Sequence, residues 1–322
     1  MIRPLAFVIA ALAGSLAAPL VQAQAQTYPT KPIRLVIAAA PGGGTDAIGR
    51  VMAEALSASL KQQVVPENRA GAAGQIGADL VVKSASDGYT LLVTQNAHTT
   101  NPALFRKLPY DTLKDFTPIA GLATSPLVLV AGAHTNVKTV QELLELGRRD
   151  PKAMTFGSAE SSARLASEQL SDATGLKFVN VMYKGTGPVM TDVAGGHVNF
   201  SITTMASALP FRSNGRVNFL AVLSPERSRF MPDVPTAAEQ GLPNIVVRGW
   251  WAVFGPANLP AAVVEPLSAA VRAALGTPAV RARLENLYQE VWATTPQELD
   301  AFVRRDVPVQ QRLAKMAGIE PE

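Results

Sequence analysis

The sequence predicts an α/β protein of two domains built on parallel sheets, and three observations carry that prediction. From residue 33 onward, short apolar runs alternate with runs whose apolar residues recur at helical spacing, which is the pattern of βαβ units. A chain of 322 residues with 48% hydrophobic content has material for more than one core and is not disordered. Threonine–glutamate pairs three residues apart, as at Thr139/Glu142, stand where amphipathic runs begin and mark helix starts.

Residues 1–25 come first and stand apart. Arg3 precedes an apolar span that ends in Ala23 and Ala25, the layout of a signal peptide cleaved after one of those alanines. A membrane anchor is the competing reading, but the span is short and interrupted by Gly14, Ser15 and Pro19. The mature chain is therefore expected in a periplasm. Zero cysteines suits that setting and removes disulfides, thiolate metal sites and cysteine nucleophiles together. The net charge of +4 is scattered without a basic run, so no nucleic-acid partner is expected.

Strands are predicted at 33–39, 63–67, 90–94, 127–131, 153–156, 178–181, 198–203, 217–222 and 245–254, mostly with one helix between neighbours. Helix starts fall at Thr139, Thr236 and Thr295, each followed three residues later by glutamate, and Gly175, Gly195-Gly196, Gly241 and Gly276 are candidate stops. The stretch 261–318 reads as helix almost throughout and needs the first domain's sheet to bury its apolar faces.

The first chemical signal is Gly42-Gly43-Gly44-Thr45-Asp46, between a strand and a helix. Gly42-x-Gly44-x-x-Ala47 with Glu67 on the next strand loosely fits a dinucleotide fingerprint, but no group for hydride chemistry accompanies it. A P-loop is excluded, because the Gly-Lys-Ser/Thr sequence is missing. What remains is a helix N-terminus whose N–H groups and dipole suit a carboxylate, or a turn capped by Thr45 or Asp46 with no ligand.

A second helix entrance follows the strand ending at Phe156, through Ser158, Ala159 and Glu160 into Ser161 and Ser162. Glu160 would repel an anion unless it points away or meets an amino group. In a two-domain α/β protein both entrances face the crevice at the strand ends, so the pair can grip one ligand from two sides. Residues 94–104 form an amide and hydroxyl cluster suited to the far end of such a ligand, or a loop with a cap at Asn101 before Pro102. Tyr183 and Lys184 follow another strand, and Thr203 and Thr204 end the next. His98, His134 and His197 stand singly, with no metal-ligand spacing and no nucleophile elbow, so neither metal nor catalytic residues are expected.

The ordered segments YPTKPIRLVIAAAPGGGTDAIGR, ENRAGAAGQIGADLV, DGYTLLV, NPALFRKLPYDTLKDFTPIAGLA, MTFGSA, YKGTGPVMTDVAGGHVNF and RFMPDVPTAAEQGLP resemble the Bug family, extracytoplasmic solute receptors of tripartite tricarboxylate transporters. The resemblance runs from Tyr28 to the last helix. It implies a type II periplasmic-binding-protein fold, two α/β lobes with a ligand cleft between them. Residues 26–125 plus 249–322 would form one domain and 126–248 the other, with hinges near Ser125 and Arg248.

It also implies that Gly43, Gly44, Thr45 and Asp46, together with Ser158, Ala159, Glu160, Ser161 and Ser162, grip one carboxylate, partly through waters. Gln95, Asn96, Thr203 and Thr204 would read the far end. Two departures bear on ligand identity: the second loop is shorter and poorer in glycine than usual, and Thr203-Thr204 replaces an acid-amide pair. The expectation is a monomeric, cofactor-free, non-enzymatic receptor for a dicarboxylate, an acidic amino acid or an aromatic acid such as nicotinate, working with a membrane permease. An exported enzyme acting on a small organic acid, or a receptor feeding a sensor kinase, are the alternatives.

Overall fold

The computed structural model describes residues 28–159, 161–183, 185–316 and 318–321, with Ser161 and Ser162 described by backbone alone. The expected signal segment 1–25, Glu160 and Lys184 lie outside the described residues. Among the described residues, no helix is long and apolar enough to cross a membrane.

The chain opens with β1 (Ile33–Ile37), α1 (Gly44–Leu60), β2 (Val64–Asn68), α2 (Gln75–Val82) and β3 (Thr90–Gln95). β1 lies parallel between β2 and β3, with Ile33 opposite Val64 and Arg34 opposite Thr90. Its alternate side chains enter two cores: Ile33, Leu35 and Ile37 pack with α1, while Val36 packs on the opposite face. Burial on both faces explains the near-continuous apolar run.

The parallel expectation needs correction at the middle of the sheet. β4 (Phe116–Gly132) and β9 (Arg248–Pro256) run antiparallel to each other and β9 runs antiparallel to β3. Only the second half of β4 carries a clear strand signal, because Pro118, Gly121 and Pro126 interrupt the first half. Register shifts at 118/120 and 121/123 accommodate these breakers, as bulges do. Gly121 also has a packing reason: a Cβ there would stand 2.5 Å from the Trp292 ring.

Beyond Pro126, β4 leaves β9 and pairs antiparallel with β7 (Phe200–Thr204) and β8 (Val217–Val222). β5 (Thr155–Ser158) then lies parallel between β7 and β6 (Val179–Met182). The strand path is β2-β1-β3-β9-β4-β7-β5-β6, with β8 and the short β10 (Glu290–Val291) also on β4. A second pair of cores sandwiches this part of the sheet, between α4 (Val140–Arg149), α5 (Ser161–Thr174), α6 (Thr186–Gly195) and α7 (Met205–Arg212). The result is two α/β lobes sharing β4.

The C-terminal stretch forms α8 (Ala261–Gly276), α9 (Pro278–Glu285) and α10 (Pro296–Met316). It is not helical throughout, because β10 intervenes and pairs with Ala123 and Thr124. α8 and α9 cover the α1 side of the first lobe, and α10 covers the other.

Thr139 and Glu142 form a capping box at α4, and Thr295 and Glu298 exchange the same bonds before α10. Thr236 and Glu239 do so too, at 2.7 and 3.0 Å, yet no helix follows, because the turn ends at Gly241 (φ +87°) before Pro243. Residues 94–104 hold another surprise. α3 (Ala97–Leu104) starts at Asn96 rather than at Asn101 and carries Pro102 inside it. Proline cannot donate to the His98 carbonyl; the Thr112 hydroxyl does so instead, at 3.2 Å.

Candidate functional site

At the first entrance α1 is capped by Gly43 in an extended conformation with no side-chain cap. The first helical bond runs from Ala47 N–H to Gly43 C=O, so the N–H groups of Gly44, Thr45 and Asp46 have no helical acceptor. Neither Thr45 nor Asp46 caps the turn. Gly42 adopts φ +84°, and nothing lies within 4 Å of where its Cβ would be. An open, uncapped helix start of this kind offers donors and a positive dipole end to an anion.

Asp46, expected among the gripping residues, has a different role for its side chain. One oxygen accepts from Gly42 N–H at 2.9 Å, and the other accepts from Arg50 Nε and Asn68 Nδ2, each at 2.9 Å. Burial alone would raise its pKa, but these bonds and the Arg50 charge outweigh it and hold the carboxyl below the usual aspartate range. The carboxylate thus points inward and ties the glycine loop shut. Thr45 is turned inward too: its Oγ1 accepts from Trp251 Nε1 at 2.9 Å and donates to Gln95 Oε1 at 2.6 Å. That chain joins Gln95 to the entrance and leaves the Gln95 amino group free to donate.

Asn96, expected as a reader of ligand, has its carboxamide engaged within the fold. Its Nδ2 donates to Arg248 C=O at 2.5 Å and its Oδ1 accepts from Trp250 N–H at 2.8 Å, so the carboxamide clamps β9 to the end of β3. Ser158 is also engaged elsewhere: fully buried, it donates to Asn180 Oδ1 at 2.6 Å, and Asn180 in turn donates to Ser167. The Tyr183 hydroxyl donates to Asp192 at 2.7 Å, and burial together with that carboxylate pushes its pKa up to about 12.

The second entrance assembles around a small cavity of about 10 Å³, room for one water, lined by Ala159, Ala163, Thr186, Thr203 and Thr204 among others. Thr204 caps α7, accepting from Ser207 N–H at 3.3 Å. Thr203 is 4% exposed and its hydroxyl has no hydrogen-bond partner. A buried hydroxyl left so costs about 1–3 kcal/mol, which a water or ligand would recover. The expected residues therefore form two groups. Gly43, Gly44, Thr45, Asp46 and Gln95 gather at one entrance, and Ala159, Thr203 and Thr204 at the other. Glu160 and the Ser161 and Ser162 side chains take no part in this description.

Sequence reasoning missed Trp251 and Gln289 at the first entrance. A Cβ on Gly44 would meet Trp251 at 3.6 Å and Gln289 Nε2 at 3.7 Å, so both wall the back of the loop. Gln289 is 2% exposed, and its Oε1 has no partner. It comes from the turn between α9 and β10, in a stretch whose pattern reads only as helix.

Other chemistries find no support in the geometry. Glu67, the ribose-binding acid of a dinucleotide site, is paired with Arg34 and Arg69, and those contacts lower its pKa against burial. Among the described residues no group of acids and histidines could hold a metal. His98 is buried among Tyr110, Phe116 and Phe254 with neither ring nitrogen bonded. Burial lowers its pKa to about 3, so it is a neutral core residue.

Residues 48–319 match the tripartite tricarboxylate transporter family receptor, TctC. Protein BugT of Bordetella pertussis (strain Tohama I) is 36% identical over 260 residues, covering 80% of each chain. A UPF0065 protein from the tcbD-tcbE intergenic region of Pseudomonas sp. (strain P51) is 35% identical over 89% of this chain and 86% of its own. Among solved structures, an R. palustris protein with adipate superposes with a TM-score of 0.87 at 31% identity, over 92% of this chain and all of that one. The periplasmic binding protein BugD gives a TM-score of 0.85 at 30% identity, over 92% of this chain and 100% of its own. MatC from Rhodopseudomonas palustris, with bound malate, gives 0.83 at 30%, over 89% and 99%. Two α/β lobes with an uncapped helix start after the first strand, and a family match across most of the chain, lead to one conclusion: this chain belongs to the TctC/Bug family of periplasmic solute-binding receptors.

Proposed function

We propose that the chain is an exported, non-catalytic receptor that holds a small carboxylate, foremost a dicarboxylate, between its lobes and passes it as a monomer to the membrane components of a tripartite tricarboxylate transporter. The observation that carries this reading is the uncapped start of α1, where the N–H groups of Gly44, Thr45 and Asp46 have no acceptor and Asp46 turns its charge away. The adipate and malate bound by two structural relatives support the ligand class. The lobes comprise 26–125 plus 249–322 and 126–248, hinged near Ser125 and Arg248, after removal of a signal peptide within residues 1–25. Backbone donors of α1, and of α5 through Ala159, Glu160, Ser161 and Ser162, grip one carboxylate, while Gln95 and Thr203 read the remainder.

A thermal-shift panel tests the reading. Adipate, malate, aspartate, glutamate and nicotinate are compared with neutral solutes of similar size. Ligand at 100 times its dissociation constant adds about 2.7 kcal/mol, a rise in Tm of about 4 °C at this chain length. A response to neutral solutes with none to any carboxylate would falsify the anion site.

Thr203→Val is the finer test. It replaces an unpartnered hydroxyl by a methyl of the same shape, so the fold should be stabilised, by up to the about 1–3 kcal/mol that the buried hydroxyl costs. Titration calorimetry should find the preference among carboxylates altered. Unchanged affinities across the panel would remove Thr203 from the site.

A further inference from the structure

One contact between the lobes lies outside the ligand-gripping groups. Arg229 and Phe230 follow β8 in the second lobe, where Phe230 packs on the core that includes Val128 and Val222. Across the gap stand Glu285, Tyr288 and Glu290, from the end of α9 and the start of β10 in the first lobe. Arg229 reaches Glu285 at 3.1 Å and Glu290 at 3.8 Å, and its guanidinium lies 4.6 Å from the Phe230 ring centre. Phe230 meets Tyr288 edge to face with ring centres 5.7 Å apart. Arg229, Glu285 and Glu290 border a pocket of about 390 Å³ that is also lined by Gln289, the residue whose carboxamide backs Gly44 at the α1 entrance.

We propose that Arg229 and Phe230 are closure residues of the binding reaction: they latch the second lobe to the Glu285–Glu290 turn beside the α1 entrance, and the latch strength sets how much of the receptor is closed. The proposal rests on the receptor reading. Only the closed receptor presents both entrances to one carboxylate, so apparent affinity scales with the closed fraction. Arg229 and both glutamates are about half exposed, which makes the latch modest and reversible, as a receptor that must release its ligand requires. The opposite contact is different in kind: Leu165 of α5 is buried against Ala103, Leu104 and Ala314 of α3 and α10, an apolar contact without directionality. The charged side therefore supplies the orientation-specific part of closure.

The test uses the absence of native cysteine. Spin labels at Ser59→Cys on α1 and Glu145→Cys on α4, both exposed, report the interlobe distance without ligand by pulsed EPR. Arg229→Ala should lengthen or broaden that distance. It should also weaken adipate and malate by about the same factor, roughly fivefold, mostly through faster release. Tyr288→Ala should act in the same direction. Arg229→Glu should act more strongly, and adding Glu285→Arg with Glu290→Gln should restore the parent distance. Distances unchanged in Arg229→Ala and Arg229→Glu would overturn the latch, whatever the receptor binds. A failure of the parent to bind any carboxylate would instead count against the receptor reading, and the distances would still decide the latch. Circular dichroism melts confirm that each variant is folded, and the restored variant separates loss of the latch from general damage.

Discussion

Acidification from pH 7 to pH 4 should cost the protein about 3 kcal/mol through His98 alone, a loss His98→Phe should largely remove. The imidazole is fully enclosed by Tyr110, Phe116 and Phe254, with neither nitrogen bonded. Burial holds its folded pKa at about 3, while the unfolded chain takes up the proton near 6.5. Between those values the unfolded state binds the extra proton, so stability falls with pH from about 6.5 down to about 3 and is whole above that window. The full window corresponds to ~5 kcal/mol. Asp79, which acts on the adjoining Tyr110 hydroxyl, is paired with Lys83 at 2.7 Å. Phenylalanine suits the surrounding rings and cannot be protonated. Urea unfolding of both proteins at several pH values measures the difference. Nitrogen-15 spectra should find the His98 ring neutral at pH 5, and an imidazolium there in the folded protein would refute the account.

Replacing Asp46 by alanine should cost about 1–2 kcal/mol and weaken every carboxylate ligand at least 100-fold. The carboxylate gathers Gly42 N–H, Asn68 and Arg50, and its loss takes this acceptor from three donors that are at most partly buried, Asn68 Nδ2 keeping the Ala39 carbonyl. Arg50 is half exposed and Gly42 is exposed, so both regain water and the cost in stability stays modest. Binding suffers more than stability because Gly42 and its neighbours are held at the α1 start by this one side chain, and freeing them misplaces the donors. Asp46→Asn should fall between, since an amide oxygen accepts but the amino group meets donors. Its pH signature differs from that of His98. The Asp46 carboxyl titrates below the usual aspartate range, so its contribution persists above that range and is lost only as pH falls through the lowered value. Calorimetry with adipate or malate, alongside unfolding curves, checks both effects. Parent-like affinity in Asp46→Ala would show that the loop holds without its tie.

Features read correctly from sequence depend on neighbours a few residues away. The glycine run before α1, the capping boxes of Thr139 and Thr295, and the stop at Gly196 are set by backbone freedom and bonds spanning three or four residues. Thr203 stood out because a hydroxyl ended an apolar strand. The partners of the Asn96 carboxamide, Arg248 C=O and Trp250 N–H, were not legible because they lie more than 150 residues later. The bond from the Ser158 hydroxyl to Asn180 was not legible because Asn180 belongs to the next strand.

From the sequence alone came the α/β alternation, the two helix starts at strand ends and the family resemblance, because hydrophobic period, glycine and caps act locally. Tertiary structure alone decided that β4 and β9 cross antiparallel through the sheet's middle, and that Asp46 and Asn96 turn inward. It also brought Trp251 and Gln289 behind Gly44 and Arg229 to Glu285. Long-range pairings are selected by the packing of the whole chain, and a buried carboxylate or amide takes whichever partner the fold delivers.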